Sequence, residues 1–279
     1  NEGFIEEALE FANMNAEDDV KKAVELLYAN KEVENEQKWL THINTYLEQF
    51  NIVPIQLNEG KDKSRFHRIT ASCDYGIDEG PLVTIIMPAY NAEEYIEHSV
   101  TSILNQTWRN IELIIVDDCS QDDTWHKMKE LALYDTRVKI LQNKVNVRPY
   151  VSKNIALKIA QGEYVTGHDA DDWAHPQRLE KHLDYMLQNG NVNASINKMI
   201  RLEESGRVTS FSKINNFTKD GVTRLASISV MFKIDFLKDT LGGWDSVKFG
   251  ADSELIARSK LALKDAFCEI EQFSMFCLD

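Results

Sequence analysis

The chain has 279 residues, 43% of them hydrophobic, with 45 acidic against 31 basic side chains and a formal charge of −14. That length supports one large core with residues left over for a smaller appendage, and the acidic excess argues against binding driven by nucleic-acid phosphates. Cys73, Cys119, Cys268 and Cys277 show neither a CxxC pair nor zinc-type histidine spacing, so reduced thiols in a cytosolic protein are expected.

No apolar run approaches the roughly 20 residues of a membrane span, and the first residues lack the basic and apolar regions of a signal peptide. The start at Asn1 without a methionine suggests a piece of a longer chain. Up to Phe50 apolar residues recur at helical spacing: Ile5, Ala8, Leu9 and Ala12, then Val20, Val24, Leu27 and Tyr28, then Leu40, Ile43, Leu47 and Phe50 beside Trp39. These stripes predict amphipathic helices that must pack on something. Residues 1–75 are therefore read as a helical extension and linker that engages a protein partner or another domain, with docking on the main domain as the counter-reading. Residues 51–80 are polar, contain Pro54, Gly60, Gly76 and Gly80, and predict a linker with one short strand.

After Pro81 the pattern changes. Residues 82–87 form a nearly continuous apolar run, followed by Pro88-Ala89-Tyr90-Asn91 and a helix with Ile96, Val100, Ile103 and Leu104 on one face. A second run at 111–116 leads to Asp117-Asp118-Cys119-Ser120 and a helix through Trp125, Met128 and Leu131. A strand at 138–141, a helix at 151–160 and a strand at 164–166 follow. Unbroken apolar strands alternating with amphipathic helices predict an α/β fold with a mostly parallel sheet covered on both faces. Ligands of such sheets bind beyond the strands' carboxyl ends, so Tyr90, Asp118 and the acidic loop at 169–172 should share one crevice.

That loop places Asp169, Asp171 and Asp172 within four residues, with Pro176 opening the next helix. Three such carboxylates repel one another unless a cation sits among them, and Mg²⁺ or Mn²⁺ prefers oxygen ligands while leaving positions for phosphates. A solvated acidic turn is the simpler alternative. Past Asn191 the alternation weakens into strands at 194–201, 207–211 and 227–233, and a Gly-rich loop at 241–250 precedes Asp252, Glu254 and Arg258 on a helix. The main domain is read as residues 76–279, with a first half at 81–190 and a second half at 191–279 whose layout suits an acceptor.

The strings VTIIMPAYNAEEYIEHSVTSILNQT, ELIIVDDCSQDDT and KNIALKIAQGEYVTGHDADDWAHPQRL resemble family 2 glycosyltransferases of the GT-A fold, a Rossmann-like architecture. The resemblance is dense over 81–187, looser over 230–261, and leaves the first 80 residues outside; it implies that 81–190 is the nucleotide-sugar half and 191–279 the acceptor half. It implies an inverting, metal-dependent transfer of a sugar from a nucleotide donor, a UDP-sugar, to a glycan or lipid-linked acceptor in bacterial surface-polysaccharide synthesis, at the cytoplasmic side of a membrane that the chain does not cross. It implies that Tyr90 lies against the base, flanked by Pro88 and Asn91, that Asp118 accepts from a uracil N–H, and that Asp117 shapes the turn. Asp169, with Ala170 beside it, would serve the ribose and metal, and Asp171 the metal directly. Asp252 would be the base that takes the acceptor's proton, with Glu254 as its competitor.

Two departures stand out. Ala251 replaces the family's usual acidic residue before the base, and Arg148 stands where many relatives have glycine. Arg148 or Lys153 supplies a positive charge for the diphosphate, unless Arg148-Pro149 merely stiffens the turn. His175 is read chiefly as a polar helix-start residue. Helix-start and turn carboxylates would account for Asp118, Asp252 and Glu254 without chemistry. A sugar nucleotidyltransferase is disfavoured because PAYNAEEY holds neither the glycine nor the lysine of a phosphate loop. A catalytically idle nucleotide-sugar scaffold remains the non-enzymatic alternative.

Overall fold

The computed structural model describes residues 18–60, 63–209 and 220–279, together with residues 7, 10 and 14. The helix expected on Ile5, Ala8, Leu9 and Ala12 lies outside the described residues, as do the last two positions of the strand expected at 207–211.

Helices α1 (Asp18–Lys31) and α2 (Glu36–Leu47) pack against each other, and Asn35 caps α2 by accepting from the Lys38 N–H at 3.1 Å. Their buried stripe does not close on itself. Leu26, Trp39, Ile43 and Leu47 share one apolar core with Ile200, Leu202, Phe273 and Phe276 of the chain's second half. Polar locks fix the join: Trp39 Nε1 donates to the Gly206 carbonyl at 2.8 Å, and Asn30 pairs with both backbone groups of Val208. Of the two arrangements considered for the N-terminal helices, the packing follows docking on the main domain. The periodic stripe specifies a buried face but not the surface that buries it, which is why the extension reads as separate in sequence. The segment expected as a linker holds β1 (Gln56–Leu57), the single turn α3 (Arg65–Arg68) and β2 (Ile69–Thr70), with the two strands antiparallel.

The first half of the main domain carries β3 (Val83–Ala89), α4 (Ile96–Leu104), β4 (Ile111–Asp117), α5 (Thr124–Tyr134), β5 (Val138–Gln142), α6 (Pro149–Ile159), β6 (Tyr164–Gly167), β7 (Trp173–Ala174) and α7 (Arg178–Gln188). Strands β3 to β6 are mutually parallel in the order β5-β4-β3-β6. Alternate residues face opposite cores, as the two-residue period of a strand requires. Val83, Ile85 and Met87 join Ile96 and Val100 of α4 and Leu179 of α7, whereas Ile86 joins Ala156 and Leu157 of α6. Both faces are covered, which accounts for the unbroken apolar runs.

The sheet continues through β10 (Met231–Lys233), β8 (Ala194–Leu202) and β11 (Phe267–Leu278) to β7, with β9 (Arg224–Leu225) paired to β8. Here β10 is antiparallel to both β6 and β8, while β8 and β11 are parallel, so the second half is mixed. Helix α8 (Ala251–Leu263) packs Ala251 and Leu255 into the same core as α6. In register, Ala89 sits opposite Asp117 and Ile86 opposite Gly167, so the residues following β3, β4 and β6 emerge at one edge.

Candidate functional site

A cavity of about 300 Å³ opens at that edge, lined by Pro88, Tyr90, Asn91, Asp118, Asp169, Ala170 and Asp171 among the expected residues. Tyr90 is 50% exposed and lines this opening. Asn91, at φ 48°, accepts from the Gln121 N–H at 2.9 Å while its own N–H donates to Ser120 Oγ at 2.9 Å. It thereby ties the loop after β3 to the turn after β4.

Asp117 is fully buried and shapes that turn: Oδ1 accepts from the Ser120 N–H at 3.1 Å and Oδ2 from Gln142 Nε2 at 2.9 Å. Asp118 holds the loop at 143–148. Its Oδ1 accepts from Asn143 Nδ2 and the Val147 N–H, both at 2.9 Å, and its Oδ2 from the Arg148 N–H at 2.7 Å. A carboxylate has about four acceptor sites, so three such bonds leave one open.

Arg148 has φ 77° and ψ 160°, a region that essentially only glycine occupies freely. The bond from its N–H to Asp118 holds it there, and Pro149 starts α6 with its fixed φ. The geometry explains why glycine suits this position. The Arg148 side chain is exposed at the loop rather than among the cavity-lining residues.

The acidic loop divides. Asp169 and Asp171 line the cavity, whereas Asp172, 3% exposed, turns the other way and accepts from the Leu278 N–H at 3.0 Å. Burial pushes the Asp169 carboxyl up to about 6, with Lys153 opposing and Asp171 and Asp252 adding to the shift. Burial also raises Asp171, and raises Asp172 further with help from Asp169 and Asp171. This excess of uncompensated carboxylate fits a divalent cation. Among the described residues no group of three or more His, Cys, Asp or Glu side chains is placed to hold one unaided. Two carboxylates completed by phosphate oxygens are the donor set that Mg²⁺ and Mn²⁺ commonly take.

Beside the cavity, Asp252 at the first turn of α8 accepts at Oδ1 from Lys153 Nζ at 3.0 Å and from Trp244 Nε1 at 2.9 Å. Lys153 is only 1% exposed. Burial works to lower its pKa, but Asp252 and Asp169 outweigh that and hold it above the ordinary lysine value. Asn154 clamps Trp244 in place by donating to its carbonyl at 2.7 Å and accepting from its N–H at 3.0 Å. At the preceding Gly243, φ 89°, a Cβ would come 2.5 Å from Asn154 Oδ1. Glu254 lies elsewhere: two positions along a helix turn it about 200° from Asp252, and it pairs with Arg258 at 2.7 Å. The structure thus gathers Asp252 and Lys153 on one side and leaves Glu254 in a surface ion pair.

His175 is fully buried and held down to about 4 by burial; the Gln177 N–H donates to its Nδ1, so Nε2 carries the proton and donates to the Val53 carbonyl at 3.0 Å. It fastens the N-terminal segment. Sequence reasoning missed Tyr95 and Pro149, which also line the cavity, and Trp244 on Asp252. The only sequence signals for them were an aromatic near the start of α4 and a tryptophan within a Gly-rich loop.

The family described as glycosyl transferase family 2 matches residues 84–237. An uncharacterized glycosyltransferase of Haemophilus influenzae is 39% identical over 142 residues, 50% of this chain and 44% of that protein. The Escherichia coli protein named UDP-Glc:alpha-D-GlcNAc-diphosphoundecaprenol beta-1,3-glucosyltransferase WfgD is 42% identical over 108 residues, 39% of this chain and 42% of WfgD. The chain thus spans less than half the length of either relative. Among solved structures, S. aureus TarS 1-349 in complex with UDP-GlcNAc aligns with a TM-score of 0.59 and 22% identity over 71% of this chain and 58% of that chain. The mannosyltransferase PcManGT from Pyrobaculum calidifontis, in complex with GDP-Man and Mn²⁺, aligns with a TM-score of 0.53 and 17% identity over 94% of this chain and 68% of that chain. The likeness to both is one of fold, the GT-A fold.

Proposed function

The chain belongs to glycosyl transferase family 2, and from that premise we propose that it transfers a sugar from a UDP-sugar to a glycan or lipid-linked acceptor, with inversion, in surface-polysaccharide synthesis. The observation that carries the reading is the cavity at the carboxyl ends of β3, β4 and β6, where Tyr90, Asp118, Asp169 and Asp171 converge. Tyr90 stacks on the base, the remaining acceptor site of Asp118 takes the uracil N–H, and Asp169 and Asp171 hold Mn²⁺ or Mg²⁺. That ion, when bound, neutralises charge on the departing diphosphate. Asp252 removes the proton from the acceptor hydroxyl, and the Lys153 and Trp244 donors fix its carboxylate in one orientation. Arg148, exposed at the cavity's edge, contributes positive charge toward the diphosphate.

Two relatives support the choice of UDP: WfgD is named for UDP-Glc, and TarS holds UDP-GlcNAc. The WfgD name also motivates a lipid-linked acceptor. No helix among the described residues is long and apolar enough to cross a membrane, and we place the enzyme in the cytoplasm, working peripherally at the inner membrane face. Calorimetry with UDP and GDP, each with Mn²⁺ and with chelator, tests the reading. Metal-dependent binding of UDP in preference to GDP is expected; equal UDP affinity with and without metal would remove the cation from the account.

A further inference from the structure

We infer that His67, in the N-terminal segment outside the family-matched residues 84–237, is a positioning residue of the donor site, holding the Tyr95 wall of the cavity and thereby setting affinity for the nucleotide. The inference rests on the donor reading of that cavity. The His67 and Tyr95 rings stack with centroids 5.1 Å apart and planes 18° from parallel. Tyr95 lines the cavity, whereas His67 is not among its lining residues, so His67 acts through its neighbour.

Three separate parts of the chain meet at this stack. Tyr95 immediately precedes α4, and its hydroxyl donates to Glu204 Oε1, in the turn after β8, at 3.0 Å. The Phe66 N–H donates to the Glu204 carbonyl at 3.0 Å, binding the same turn to the N-terminal segment. Phe66 is fully buried in the core shared with α2 and β11, and His67 Nδ1 is bonded to Ser64 Oγ at 2.7 Å. The imidazole is therefore presented from a rigid base, and the tyrosine ring is fixed by a stack on one side and a hydrogen bond at its tip. Tyr95 itself is only partly buried at the start of α4. Removing the stack would leave Tyr95 held only at its hydroxyl tip, so its ring would sample a wider range of orientations and nucleotide binding would have to order it.

The test uses the full chain with UDP and Mn²⁺ in calorimetry, together with donor-hydrolysis kinetics. His67→Ala should raise the UDP Kd and the donor KM roughly 2- to 10-fold, the range for loss of one aromatic pair, with kcat within about twofold. His67→Phe should restore most of both, because it keeps the stacked planar ring and gives up only the Ser64 bond at Nδ1, His67 Nε2 making no hydrogen bond among the described residues. Wild-type affinity in folded His67→Ala, with an unchanged urea midpoint, would overturn the inference alone. Equal weakening in His67→Ala and His67→Phe would also overturn it, since the ring would then be irrelevant. Failure of the wild-type chain to bind UDP or GDP would overturn the donor reading and this inference with it.

Discussion

Lys153 Nζ lies 3.0 Å from Asp252 Oδ1, joining α6 to the first turn of α8 across 99 residues of sequence. Among the described residues Asp252 is the acid this lysine pairs with, and Asp169 adds a second negative field. Removing one partner of a buried pair leaves an uncompensated charge, which typically costs about 3–5 kcal/mol. Lys153→Met should accordingly lower the urea-unfolding free energy by an amount near the lower end of that range, because Asp252 keeps 15% side-chain exposure. It should also reduce turnover. The double variant Lys153→Met/Asp252→Asn should recover part of the lost stability but none of the turnover, which a double-mutant cycle would read directly.

Arg148 supplies a test of strain against function. Its φ of 77° with ψ of 160° carries a penalty of order 1–3 kcal/mol for a residue with a Cβ. Arg148→Gly should therefore gain stability, read as a higher urea midpoint, while weakening UDP more than uridine, because only UDP carries the diphosphate. Equal loss for both ligands would assign Arg148 to the loop's shape alone.

Burial of His175 makes the stability of the fold depend on pH. Burial holds His175 at about 4, below its unfolded value near 6.5, so between those limits the unfolded chain binds the extra proton and stability falls as pH falls. Between pH 7 and pH 5 this amounts to roughly 2 kcal/mol for a fully buried imidazole. The raised carboxylates at Asp169, Asp171 and Asp172 act in the opposite sense over part of the window. The comparison must therefore be differential: His175→Gln should lose less stability than wild type between pH 7 and pH 5. Parallel pH profiles for the two proteins would contradict the buried, neutral imidazole.

The N-terminal helices share a core with β8 and β11, which predicts that they cannot be detached. A chain beginning at Ile77 would uncover Trp173, Ile200, Leu202, Phe273 and Phe276, and it should aggregate. Ile43→Ala, at a fully buried position in that core, should cost about 2–5 kcal/mol. A soluble, monodisperse truncated protein that still binds UDP would restore the separate-appendage arrangement.

Much of the nucleotide half was legible because its strands are continuous apolar runs, and because each functional loop directly follows one. Val83 to Met87 and Ile111 to Val116 are parallel neighbours, which puts Tyr90 and Asp118 at one edge. The period of the strand and the position of a strand's end are local properties. The partner of a buried stripe is not, so the docking of Trp39 and Ile43 on Phe273 and Phe276 left no trace in spacing. The same holds for Lys153 with Asp252 and for His67 with Tyr95, both joined only by the closing of the fold. Within the acidic loop, adjacency hid a division of labour: Asp169 and Asp171 face the cavity while Asp172 secures β11. Asp252 and Glu254 could be ranked only once the helix turned one toward Lys153 and the other toward Arg258.

The central claim, that the cavity binds the donor while Asp252 performs the proton transfer, is tested most directly by Asp252→Asn. UDP affinity with Mn²⁺ and donor turnover should be measured on the same protein. Affinity should stay within about twofold of wild type while turnover falls by roughly 10² to 10⁴, the usual loss when a general base is removed. Near-normal turnover in this variant, or a fall in affinity that matches the fall in turnover, would contradict it.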